Sequence, residues 1–130
     1  MRALIIDDSQ AMRVMLGRML KEFGYEVMEA RDGLEALESI KRHGPPSVAL
    51  VDWNMPEMNG LDFVRAVRRE IGDRDVLLMM VTTESQSSQM VKALAAGANE
   101  YLMKPFTKDA LLEKLALLGV SPDTCEKSGS

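Results

Sequence analysis

The chain has one cysteine, Cys125, and one histidine, His43, among its 130 residues. A lone thiol excludes an internal disulfide framework and fits a reducing compartment. One imidazole and one thiol exclude a His- or Cys-rich zinc centre, so any bound metal has to be a hard cation held by carboxylates. No apolar run approaches the ~20 residues of a membrane span. The opening Met1-Arg2-Ala3-Leu4-Ile5-Ile6 turns acidic at Asp7 without a small-residue cleavage site, unlike a secretory leader. Excess positive charge is lacking too. Sixteen basic against twenty acidic residues leave a net charge of −4, which offers no bulk attraction to nucleic acid or anionic lipid. The expectation is a cytoplasmic protein with no direct nucleic-acid or membrane partner.

What is present is an alternation of two periods. Ala3-Leu4-Ile5-Ile6 is a short apolar run that reads as a buried strand. Met12, Met15, Leu16, Met19, Leu20 and Phe23 follow at helical spacing, with Gly24 as the stop. Tyr25 to Ala30 is partly alternating and charged, which suits an exposed edge strand. Asp32 and Glu35 form a capping pair before a helix carrying Leu34, Leu37 and Ile40, and Gly44-Pro45-Pro46 ends it. The cycle then repeats three times. The further strands are Val48–Val51, Val76–Val81 and Tyr101–Met103, and Thr107 is the expected cap of the last helix. Met12, Met15, Met19, Met79 and Met80 read as core. Five strand–helix pairs imply a parallel sheet with right-handed helical crossovers on both faces. The fold class is therefore α/β: a five-stranded, doubly wound, flavodoxin-like (βα)5 domain over residues 1–118, strand order 2-1-3-4-5. Residues 119–130 read as a disordered polar tail.

The chemistry lies at the strand ends. The first strand ends in Asp7-Asp8, the third in Asp52, the fourth in Thr82 and the fifth in Lys104. Ligands of open parallel sheets sit at the carboxyl ends of the strands. Three carboxylates gathered there repel one another unless one is protonated or a cation neutralises them. Oxygen-only ligands suit Mg²⁺, which often binds through a couple of carboxylates plus a phosphate. Lys104 adds a positive charge and Thr82 a hydroxyl donor. A carboxylate nucleophile with these companions is equipped for phosphoryl transfer onto Asp. Taken singly, each residue has a plainer reading. Asp7-Asp8 or Ser9 can cap a helix, and Lys104 can be an ordinary strand-end lysine.

Ile6-Asp7-Asp8-Ser9, Asp52-Trp53-Asn54-Met55-Pro56-Glu57-Met58-Asn59-Gly60, Val81-Thr82-Thr83 and Tyr101-Leu102-Met103-Lys104-Pro105-Phe106 together resemble the receiver domains of two-component response regulators. The stretch from Asp52 to Gly60 is most similar to the single-domain chemotaxis regulators. The resemblance implies that Asp52 is the phosphoacceptor, fed by a sensor histidine kinase. It implies a Mg²⁺ ion on Asp7, Asp8, Asp52 and the backbone carbonyl of Asn54, with Asp8 a more direct ligand than Asp7. It implies that Lys104 contacts the phosphoryl group, that Thr82 bonds it once attached, and that Tyr101 then turns inward from solvent. Asn54 and Glu84 occupy the positions that tune the lifetime of the phosphorylated form. Thr83 stands where a smaller residue is usual and narrows access to Asp52. Output is expected through the face made by the fourth helix, fifth strand and fifth helix, toward a downstream protein.

Such a receiver is a switch that promotes only its own phosphorylation and dephosphorylation, not a turnover enzyme. An aspartate-nucleophile phosphatase is the enzymatic alternative. It needs an acid two residues after the nucleophile, where Asn54 stands. A flavin protein of the same layout would find Asp7-Asp8 repelling its phosphate. A receiver excised from a longer regulator is a third reading.

Overall fold

The computed structural model describes residues 1–53, 55, 58–71, 76–82 and 87–119, with only the backbone described for Ser87 and Ser88. Five strands, β1 (Arg2–Ile6), β2 (Glu26–Ala30), β3 (Val48–Val51), β4 (Leu77–Thr82) and β5 (Glu100–Met103), alternate with five helices, α1 (Gln10–Glu22), α2 (Gly33–His43), α3 (Gly60–Ala66), α4 (Ser87–Ala96) and α5 (Lys108–Leu117). The sheet is parallel throughout, in the order β2-β1-β3-β4-β5. The sequence predicts this architecture and this order.

The local reasons are visible at the helix starts. Ser9, Asp32, Asn59 and Thr107 are extended residues whose side chains accept the backbone N–H three residues on. Each satisfies one of the donors a helix N-terminus leaves free. The Asp32–Glu35 pair works as expected from the Asp32 side, but the Glu35 carboxylate accepts from the N–H of Arg31, one residue before the cap. Gly24 follows α1 with φ +99°, a left-handed turn that suits glycine.

The three inner strands are apolar on both sides because helices cover both sheet faces. One core gathers Leu4, Ile6, Ala49, Val51, Leu78 and Met80 against α2, α3 and α4. The other gathers Ala3, Ile5, Val48, Leu50, Met79 and Val81 against α1 and α5. β2, at the sheet edge, exposes Glu26 and Glu29, in line with its charged pattern.

Three details differ from the sequence reading. Helical spacing puts Met15 and Leu34 on core stripes, yet they are 38% and 49% exposed. Each lies on the shoulder of a stripe whose centre, Leu16 and Leu20 in α1 and Ala36, Leu37 and Ile40 in α2, is buried. The helical spacing of Leu61, Val64, Val67 and Ile71 predicts one continuous helix, but a π turn over Val67–Ile71 takes over after Ala66. Residues 120–130 of the expected tail lie outside the described residues.

Candidate phosphoryl-transfer site

Main-chain pairing carries three of the polar residues past the strand ends. The Asp7 N–H donates to Ala30 O at 3.1 Å, the Asp52 N–H to Ile6 O at 2.9 Å, and the Lys104 N–H to Thr82 O at 2.8 Å. The residues that follow the apolar runs are thus held by the same hydrogen-bond lattice as the strands themselves. This is why they meet at one edge of the sheet. Asp7, Asp8 and Asp52 each place a carboxylate oxygen within 4.8 Å of the other two.

The three carboxylates differ in surroundings. Asp7 is buried, Asp8 is exposed and Asp52 is intermediate. Asp7 Oδ1 accepts the Ser9 N–H at 2.9 Å, and Asp7 Oδ2 accepts from Lys104 Nζ at 2.9 Å. Lys104 Nζ also lies 3.7 Å from Asp52 Oδ1, so one ammonium serves two carboxylates. The Asp52 carboxyl is pushed up from 3.8 to about 6. Burial is the largest cause, and the charges of Asp7 and Asp8 push the same way. Lys104 and the Trp53 backbone N–H pull against them. The donor set is oxygen-only and crowded, which fits a hard divalent cation bound chiefly by carboxylates.

Thr82 is fully buried at the end of β4. Tyr101 pairs with Met80 across β4 and β5, placing it diagonally beside Thr82 on the same face of the sheet. Thr82 and Tyr101 are therefore neighbours. The ring does not have the starting position in solvent that the resemblance implies. Tyr101 is 6% exposed and belongs to the core on the α2–α3–α4 side of the sheet, so it does not begin in solvent. Asn54, Thr83 and Glu84 lie outside the described residues.

Sequence reasoning misses two contributors. Arg13, on the second turn of α1, donates through Nη1 to Asp7 O at 2.6 Å and through Nε to Glu29 Oε1 at 3.1 Å. Gly60, quoted only as part of a longer match, opens α3 against Asp52 itself. A Cβ at that position would lie 2.4 Å from Asp52 O. A partly buried arginine one turn past a helix cap carries no local signal, because a polar residue at that point of a helix ordinarily faces solvent.

A parallel five-stranded domain with an acid triad and a lysine at its strand ends defines a class, and the match to known proteins agrees. Residues 3–116 match the response regulator receiver domain, and the chain belongs to that family. It is 43% identical over 119 residues to the chemotaxis protein CheY1 of Helicobacter pylori (strain ATCC 700392 / 26695), covering 91% of this chain and 96% of that protein. It is 43% identical over 116 residues to a chemotaxis protein CheY homolog of Campylobacter jejuni, covering 88% of this chain and 89% of that one. Among solved structures, chemotaxis protein CheY4 of Vibrio cholerae superposes with a TM-score of 0.83 at 37% identity, over 89% of this chain and 96% of that one. Among the described residues, no helix is long and apolar enough to cross a membrane.

Proposed function

We propose that this receiver is switched by transfer of a phosphoryl group from a phosphohistidine of a sensor histidine kinase to Asp52. The observation that carries this reading is the setting of Asp52, beside two further carboxylates with Lys104 3.7 Å away. In the transfer, an Asp52 oxygen forms the O–P bond as the donor's N–P bond breaks, and the donor's imidazole leaves. When bound, Mg²⁺ offsets the crowded negative charge of the carboxylates and the incoming phosphoryl oxygens.

The chain's own residues do the rest. Asp8, exposed, and Asp7, buried, are the residues proposed to hold the ion with Asp52 and the Asn54 carbonyl. Lys104, already shared between Asp7 and Asp52, is assigned to contact phosphoryl oxygens. The Thr82 hydroxyl is assigned to the attached phosphoryl group, through a charge-assisted hydrogen bond. Asn54 and Glu84 are assigned to the lifetime of the phosphorylated form, and Thr83 to access. Because Tyr101 starts buried, the response we propose is repacking of an inward ring against Thr82 rather than its entry from solvent. The relatives' names favour a chemotaxis output, which we assign to the α4–β5–α5 face and to the cytoplasm. The protein acts on itself and not on an external substrate.

The test is transfer of radiolabelled phosphoryl from a histidine kinase or a small phosphodonor. Asp52→Asn should abolish labelling while circular dichroism stays unchanged. Excess chelator should abolish labelling of the wild type. Equal labelling of wild type and Asp52→Asn would overturn the acceptor, and steady hydrolysis of a generic phosphomonoester would favour the phosphatase reading instead. Thr82→Ala should still accept the label yet lose most of the phosphorylation-dependent gain in partner affinity, since the two equilibria are linked.

A further inference from the structure

Asp8 is the most exposed of the three clustered carboxylates. Something other than its own packing must keep it beside the other two. We infer that Arg13 is the positioning residue that does this, acting through the peptide between Asp7 and Asp8. The inference rests on the reading of the three carboxylates as a Mg²⁺ site.

A peptide unit is planar, so the direction of one residue's carbonyl fixes the N–H and Cα of the next. The Asp7 carbonyl and the Asp8 nitrogen share one such plane. Arg13 Nη1 donates to that carbonyl at 2.6 Å. The remaining polar groups of Asp7 are also held: its N–H by Ala30 O, Oδ1 by the Ser9 N–H and Oδ2 by Lys104. The bond from Arg13 holds the carbonyl end of the peptide that leads into Asp8, while the Ser9 N–H on Oδ1 closes the turn beyond it. A charged donor makes this a stronger hold than a neutral hydrogen bond.

The guanidinium is itself held. Its Nε donates to Glu29 Oε1 at 3.1 Å, and its side chain is only 11% exposed. Glu29 stands on the edge strand β2, paired in register with Ile5. A planar, multi-donor group is required here, because Arg13 must bond a carbonyl and a carboxylate at once. Lysine offers one nitrogen for both. Groups that orient a metal ligand typically change affinity by ten to a hundredfold when removed, about tenfold being the expectation at a solvent-open site.

The experiment has a metal-free arm and a metal arm, both by NMR on the full chain. Without metal, Arg13→Met should speed hydrogen exchange at the Ser9 amide while amides of β3 and β4 keep their protection. Unchanged exchange at Ser9 would overturn the clamp. In a Mg²⁺ titration, Arg13→Met should weaken binding about tenfold, and Arg13→Lys should recover part of the loss. In an Asp8→Asn background, Arg13→Met should change Mg²⁺ affinity less than twofold, because the residue it positions is already disabled. A full tenfold loss in that background would overturn action through Asp8. A wild type whose pocket resonances ignore Mg²⁺ would overturn the metal reading and the role toward the ion with it, while the exchange arm reports the clamp separately.

Discussion

Asp7 and Asp52 end neighbouring strands and share one lysine, yet they are held in opposite ways. Asp7 has a backbone N–H on one carboxylate oxygen, an ammonium at 2.9 Å on the other and an arginine on its carbonyl. Among the described residues, Asp52 has the more distant end of the same ammonium, at 3.7 Å, and the backbone N–H of Trp53. The first carboxylate is neutralised by the protein. The second is left short of positive charge, and its pKa rises to about 6. The pocket thus divides into a fixed anion that belongs to the structure and an under-compensated one that gains from added positive charge. The second condition suits the proposed acceptor role of Asp52, since a cation bound beside it would supply the positive charge it lacks.

Substitutions can break this contrast, and the largest effect on stability belongs to the shared cation. Lys104→Met strands the buried Asp7 charge and should cost about 3 kcal/mol in urea unfolding at pH 7. It should also send the Asp52 pKa above its present value, since Lys104 now lowers it. A cost under ~1 kcal/mol, the range of exposed pairs, would mean that Lys104 does not neutralise Asp7.

Asp52→Asn should act in the opposite direction. The folded-state pKa of Asp52 is raised, so between about 4 and 6 the folded chain binds more protons than the unfolded one. Stability therefore falls as pH climbs through that window. Replacing Asp52 with Asn should stabilise the metal-free protein by roughly 3 kcal/mol above pH 6, because each tenfold change in proton affinity is worth about 1.4 kcal/mol. The gain should vanish below pH ~4, the ordinary range of an aspartate. A pH-independent difference would contradict burial as the cause.

Asp7→Asn sharpens the comparison by reversing the sign. Losing charge-assisted bonds to Lys104 and the Ser9 amide should cost about 2 kcal/mol at pH 7. If both Asn variants change stability in the same direction, the two carboxylates are not differently held. The smallest expected effect is at Ser9. Ser9→Ala removes the cap on the Met12 N–H, worth about 1 kcal/mol. It leaves the Ser9 backbone N–H on Asp7, so phosphoryl labelling should be unaffected.

The strand ends make most of the site readable in advance. Asp7, Asp8, Asp52, Thr82 and Lys104 each follow an apolar run, and parallel strands bring such positions to one edge. The same logic yields the five strands and their order. Periodicity says less at the margins. Spacing marks a stripe but not its width, so Met15 and Leu34 look like core although they sit on its shoulders. The inward ring of Tyr101 depends on how β5 packs against β4 and α4, which no local pattern encodes. Arg13 escapes for a related reason: Asp7 O is close in sequence, but Glu29 reaches the guanidinium only when the edge strand is in place.

Gly60 shows how tightly Asp52, the proposed acceptor, is built in. Its N–H donates to Trp53 O at 2.9 Å, and a Cβ there would stand 2.4 Å from Asp52 O and 2.8 Å from the end of Met80. The nearest obstacle is the main chain of Asp52 itself, so a flexible neighbour cannot make room by turning aside. The first residue of α3 therefore bears directly on Asp52, like a shim with no clearance. A saturation library at this position should return glycine alone among fully labelled clones, because any side chain on the first residue of α3 has to displace the main chain that carries Asp52.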